Sequence, residues 1–293
     1  MKTSFILFYV FLLGSFAFCQ KPLEKTINSI IKNKKATVGV AVIYDGRDTL
    51  TVNNNYHYPT MSVFKFHQSL AVLDYMDKNL LPLETPLFLK KSDLRPNTYS
   101  PLRDERPEGN FSISIGELVK YTVAKSDNNT SNALFHYMSG TRMTDLYIRT
   151  LGIKDFAITA TEAEMSDDFN NQYLNWTTPL AAARLLEVFL KDDLVSKDTR
   201  DFLVNAMVQT TTGPDKLKAL LPATTKIGHK TGSSARSKEG LKVADNDIGF
   251  VVLPNGKQYS IAVFVMNSME SDKTNARIIA DISKAVYDFY KNK

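Results

Sequence analysis

Cysteine is nearly absent from this 293-residue chain: there is one, Cys19, at the end of an apolar leader. No disulfide can form within the chain, and thiol catalysis or a Cys-ligated zinc site lacks its residues. Histidine is sparse too. His57, His67, His136 and His229 show no metal-ligand spacing, so no metal and no cofactor is expected. No serine sits in a Gly-x-Ser-x-Gly elbow, which speaks against an α/β-hydrolase triad. Net charge is +5, and the densest basic cluster, Lys32-Asn33-Lys34-Lys35, has no interleaved aromatics, so nucleic acid is not an expected partner.

What the chain does have begins with Lys2 and an apolar run from Phe5 to Phe18, broken only by Gly14 and Ser15. The run is shorter than the roughly 20 residues of a membrane span and follows the plan of a secretory signal. Ala17 and Cys19 are the small residues before a cut ahead of Gln20, giving a signal peptide over 1–19. The rival is cleavage before Cys19 with lipid on its sulfur, which would put Phe18 where a small side chain is required. The first reading predicts export to the periplasm, no stable membrane insertion after signal removal, and a monomer held together by its core alone.

Residues 22–34 read as an amphipathic helix, and 36–45 and 48–53 as strands around an Asp45-Gly46 turn. From Ser62 to about Leu221 the apolar residues mostly recur at helical spacing, as in Leu180, Ala183, Leu186 and Leu190. Strand character returns at 225–234, 247–253 and 258–268, and residues 276–292 form a last amphipathic helix. Strands at both ends with helices between predict an α+β fold with one antiparallel sheet built from both termini. The expected division is an α/β lobe of 20–60 plus 213–293 and an all-helical lobe of 61–212, with a site in the cleft between them.

Ser62 and Lys65 stand three apart at the start of a helix, with Phe64 and Phe66 flanking the lysine. A serine hydroxyl is a poor nucleophile unless a base takes its proton, and a lysine desolvated by apolar neighbours can be that base. A helix start and a snorkelling lysine would explain the same pair. A second copy, Ser29-Ile30-Ile31-Lys32, lies on a lysine-rich surface helix and reads as coincidence. Two later motifs change the balance: Ser126-Asp127-Asn128 after a helical run, and Lys230-Thr231-Gly232-Ser233 on a predicted strand.

With these motifs in this order, the chain resembles the serine β-lactamases and penicillin-binding proteins over essentially its whole mature length. The loop 159–179 points within that group to the class A β-lactamases, and its departures from their usual pattern resemble the PER-type and CfxA-type extended-spectrum subgroup. Glu162 stands where class A enzymes carry a water-positioning glutamate; Glu164 is a rival. Ser166 replaces the usual asparagine beside that water, and Ala160 and Asn175 replace an arginine and aspartate that clasp the loop, so a different loop fold is open.

The resemblance implies a five-stranded sheet, a small-molecule β-lactam substrate and hydrolysis through an acyl-enzyme on Ser62, conferring antibiotic resistance. The acylation base is Lys65, Glu162 through water, or both. Ser126 would relay a proton to the lactam nitrogen with help from Lys230. The strand residues Lys230, Thr231, Gly232 and Ser233 would bind substrate and its carboxylate, Asn128 the substrate's side-chain amide, and Tyr99 would line the cleft mouth. Lys216 would be a second cationic carboxylate contact. Subgroup likeness leans toward cephalosporins. The alternatives are a DD-peptidase that β-lactams merely inhibit and a non-hydrolytic β-lactam sensor.

Overall fold

The computed structural model describes residues 14–191 and 193–293, with side chains from Lys21 onward. The expected leader thus lies largely outside the described residues. The fold is α+β, and its centre is a five-stranded antiparallel sheet. Strands β1 (Thr37–Tyr44) and β2 (Asp48–Val52) come from the N-terminal end, and β3 (Ile227–Ser233), β4 (Lys242–Val252) and β5 (Gln258–Ser268) from the C-terminal end. Their spatial order is β2-β1-β5-β4-β3.

The hairpin between β1 and β2 turns over residues 45–47, with Asp45 (φ 50°) and Gly46 (φ 69°) both left-handed and Arg47 N donating to Tyr44 O at 3.1 Å. Successive residues of β1 serve different cores. Val40 and Val42 pack with Val263, Ile279 and Tyr290 beneath helices α1 (Gly14–Ile31) and α8 (Asp272–Tyr290). Ala41 and Ile43 join Phe66, Phe189 and Phe264 on the other face. That is why the strand reads as a continuous apolar run rather than an alternation. Each fully buried aliphatic or aromatic side chain here contributes about 1.5–3 kcal/mol.

Helices fill most of the chain between β2 and β3: α2 (Phe64–Lys78), α3 (Ile115–Ala124), α4 (Asn128–Tyr137), α5 (Glu162–Asp167), α6 (Pro179–Lys191) and α7 (Lys197–Val208) among them. Their spacing was legible, but short strands between them were not. Tyr58–Pro59, Trp176–Thr177 and Phe156–Ala157 form a small sheet of their own. Two-residue strands carry no periodicity to detect.

Several boundaries differ from expectation; the last helix, for example, runs over Asp272–Tyr290 rather than 276–292, and the strand expected at 225–234 over Ile227–Ser233. The N-terminal helix ends at Ile31 rather than 34. Residues 61–63 form a 3-10 turn ahead of α2 rather than its first turn. Strand β4 begins at Lys242, five residues before the expected 247, because Asp245 and Asn246 are polar yet buried against partners elsewhere in the chain.

Candidate active site

Ser62 sits in the 3-10 turn directly before α2, and Lys65 in the first turn of that helix. Met61 just ahead of the serine is in the left-handed region at φ 44°, a strained backbone of the kind that collects at functional sites. Two outside contacts hold this turn. Asn246 Nδ2 of β4 donates to Pro59 O at 2.8 Å and to Thr60 O at 3.2 Å. Gly232 of β3 packs so close that a Cβ would stand 2.4 Å from Thr60 O and 3.1 Å from Ser62 N. Only glycine admits that approach, which brings β3 beside the Ser62 amide.

Lys65 is fully buried. Its Nζ lies 3.0 Å from Ser62 Oγ, 2.8 Å from Ser126 O, 2.6 Å from Asn128 Oδ1 and 2.9 Å from Glu162 Oε1. Ser62 Oγ is also within donating reach of Glu162 Oε1, at 3.1 Å. An ammonium has three protons for four such partners. With Ser126 O and Asn128 Oδ1 as obligate acceptors of two of them, the third proton has both Ser62 Oγ and Glu162 Oε1 within reach. Burial pushes the Lys65 amine below its ordinary value, opposed by the Glu162 carboxylate. The expensive lysine between two phenylalanines is therefore in contact with the nucleophile candidate.

Ser126 adopts φ 60°. Asp127 holds that unusual backbone by capping α4 through Thr130 N at 3.0 Å while accepting from Ser100 Oγ and, at 2.7 Å, from Leu102 N. Lys230 Nζ, also fully buried, donates to Ser126 Oγ at 2.8 Å and to Thr231 O at 2.9 Å. Burial first, and then repulsion from Lys65, takes the Lys230 amine well below its ordinary value. Asn128 faces Lys65 with its oxygen because its Nδ2 donates to Thr98 Oγ1 at 2.7 Å.

Loop 159–179 keeps a clasp of a different chemistry. Asn175 is buried, and its Oδ1 accepts from Thr159 N at 2.8 Å and Ala160 N at 2.9 Å, while Nδ2 donates to Ala160 O at 2.7 Å. The carboxamide thus binds the backbone where the arginine–aspartate pair is missing. The same residue's carbonyl accepts from Thr60 N at 2.9 Å, tying the loop to the Ser62 turn. Glu162 and Glu164 part company here. Glu162 is buried on Ser62 and Lys65, whereas Glu164 is exposed and closes a capping box with Thr161. Ser166 lines the cleft, but its hydroxyl donates to Glu162 O at 2.7 Å.

These groups open on a cleft of about 840 Å³ lined by Ser62, Ser126, Asn128, Glu162, Thr231 and Ser233, among others. Tyr99 stands at it, more than half exposed. Lys216 lines it too, but paired: its Nζ is 2.5 Å from Asp245 Oδ1, and the Ser233 hydroxyl donates to the same oxygen at 3.0 Å. Asp245, Thr98 and Asn246 were not singled out from sequence. Only Asp245 left a trace there, as one of two acids at i and i+2, with Asp247, entering an otherwise apolar strand. Ser29 and Lys32, the second copy of the serine–lysine spacing, are exposed at the end of α1.

Known proteins resemble this chain along most of its length. A model of the β-lactamase enzyme family matches residues 22–290. A β-lactamase of Bacteroides uniformis is 48% identical over 91% of this chain and 90% of its own length. The extended-spectrum β-lactamase PER-1 of Pseudomonas aeruginosa is 40% identical over 94% and 89%. A crystal structure representing class A β-lactamases, from Bacteroides cellulosilyticus, superposes with a TM-score of 0.91 at 50% identity, covering 94% of this chain and 99% of that one. A buried amine and a loop carboxylate meeting on one serine hydroxyl, in a chain similar to these proteins along most of its length, lead to one conclusion: the chain belongs to the β-lactamase enzyme family and is a class A member of it.

Proposed function

We propose that this is an exported enzyme that opens the lactam amide through an acyl-enzyme on Ser62 and releases it with a water activated by Glu162. The observation that carries this reading is the meeting of Lys65 Nζ and Glu162 Oε1 on the Ser62 hydroxyl, at 3.0 and 3.1 Å. Ser62 Oγ attacks the lactam carbonyl carbon and its proton passes to Lys65 or Glu162. The tetrahedral oxyanion rests on the Ser62 and Ser233 amides, where loss of one donor costs about 10²–10³ in rate. Collapse breaks the C–N bond, and Ser126 delivers a proton to the nitrogen, resupplied through Lys230. Water then adds to the ester carbon as Glu162 takes its proton, and Ser62 leaves.

Asn128, Thr231 and Ser233 position the substrate, and Tyr99 walls the mouth of the cleft. Residues 20–60 with 213–293 make up one lobe and 61–212 the other, with substrate between them. Export is supported by the leader composition of residues 1–19; among the described residues no helix is long and apolar enough to cross a membrane. Cephalosporins, bulky ones included, are the favoured substrates, since PER-1 is named an extended-spectrum enzyme. Steady turnover of a chromogenic cephalosporin by the purified protein is the expected result. A burst stopping at one equivalent would instead identify a sensor or an inhibited peptidase.

A further inference from the structure

The Ser233 end of the cleft holds a carboxylate where the substrate's own carboxylate should go. Asp245 of β4 is 2% exposed. Its Oδ1 accepts the Ser233 hydroxyl at 3.0 Å and lies 2.5 Å from Lys216 Nζ, while Oδ2 lies 3.6 Å from Lys242 Nζ. The register explains the placement, because Asp245 is the cross-strand partner of Ser233. Lys242 has a further acid, Asp272, at 3.1 Å. Lys216 has no second carboxylate within ion-pair distance among the described residues; its other contact is Asn246 O at 3.3 Å.

We infer that Asp245 is a specificity-determining residue that acts as an internal competitor of the substrate carboxylate, engaging the Ser233 hydroxyl and the Lys216 ammonium. The inference rests on the function proposed above and names which donors remain to bind substrate. A hydroxyl has one proton, and that of Ser233 points to Asp245, so the oxygen offers lone pairs to the cleft. A lysine charge balanced at 2.5 Å attracts a second anion weakly. Carboxylate recognition therefore falls on Lys230, Ser126 and Thr231. The last is placed by its contact with Thr212, Oγ1 to Oγ1 at 2.6 Å.

The test is steady-state kinetics on a cephalosporin and on the methyl ester of the same compound. Asp245→Asn removes the charge that balances Lys216, and the ammonium's new charge-assisted hydrogen bond to substrate lowers KM for the free acid roughly tenfold. The acid's kcat and both constants of the ester stay within about twofold, a split that a general structural effect would not produce. The double variant Lys216→Met/Asp245→Asn removes both charges of the pair, guards against an unfolded single variant, and returns KM for the acid to near the unmutated value. Two results would overturn the inference. One is a raised KM for the acid in Asp245→Asn, showing that Asp245 orients Lys216 toward substrate. The other is a KM change shared equally by acid and ester. No turnover by the unmutated protein would sink the proposed function instead, so the two failures are distinguishable.

Discussion

Lys65 Nζ lies 2.9 Å from Glu162 Oε1, and both atoms reach the same serine hydroxyl although the two residues are 97 positions apart in the chain. The contact sets an amine and a carboxylate side by side on one hydroxyl. It also explains how a buried lysine is tolerated: its burial cost is offset by an anion that is itself nearly buried.

Glu162→Gln keeps the size of the side chain and removes the carboxylate to which the proposed function gives the role of base. Acylation of Ser62 by a chromogenic cephalosporin should persist, with turnover reduced by about 10²–10⁴ and the adduct accumulating. Mass spectrometry of the intact protein would show the acyl-enzyme. If Glu164→Gln blocks turnover while Glu162→Gln does not, the assignment is wrong.

Asn175→Ala removes three hydrogen bonds to loop 159–179 and leaves the Ala160 N–H and C=O unpaired in the interior. A loss of about 2–6 kcal/mol in unfolding free energy follows, at about 1–3 kcal/mol for each of the two buried groups stranded. Because this loop carries Glu162, release of the acyl group should slow more than its formation. Single-turnover kinetics would separate the steps, and equal slowing of both would argue against a loop-specific effect.

Gly232→Ala forces a methyl to within 2.4 Å of Thr60 O, a backbone atom that cannot swing aside. Strand β3 must then move off the Ser62 turn. Misplacement by about 1 Å costs on the order of 10² in rate. The drop should appear in kcat/KM, and activity within about threefold of the parent would refute the close-packing argument.

His67 gives the protein an acid-sensitive step in stability. It is buried among apolar groups, and loss of solvation takes the imidazole from 6.5 to about 4. A depressed histidine pKa means that the unfolded chain binds the proton more readily. Stability is therefore complete above pH 6.5 and falls as pH drops toward 4. The loss reaches about 3 kcal/mol, at about 1.36 kcal/mol per unit. Urea midpoints between about pH 7.5 and 4.5 should decline in the parent and less steeply in His67→Gln.

Sheet and motifs differed in how far they could be read ahead. Strand β5 was found at both ends, 258 and 268, because an apolar run closed by turn residues marks itself. The start of β4 was missed because Asp245 and Asn246 look like loop residues until their partners, Ser233, Lys216 and the Pro59 carbonyl, are known. Asp245 also lines the cleft, and Asn246 holds the Ser62 turn beside it. A strand that carries buried polar side chains for a site loses the pattern by which strands are recognised. Lys216 shows the same limit. Its charge was visible, but its balancing by a residue 29 positions away was not.

Taken alone, the order of residues determined which chemical groups exist and which local backbone each prefers: a serine three before a lysine, an asparagine where a charged clasp is missing, a glycine between Thr231 and Ser233. These are short-range properties, set by propensity and spacing along one segment. Tertiary structure decided who meets whom. It seated Glu162 rather than Glu164 on Ser62, let Asn175 hold Ala160 by its backbone, and put Asp245 against Lys216. Proton positions and net charge at a site depend on distances of a few ångströms between remote segments, and only packing of the folded chain fixes such distances.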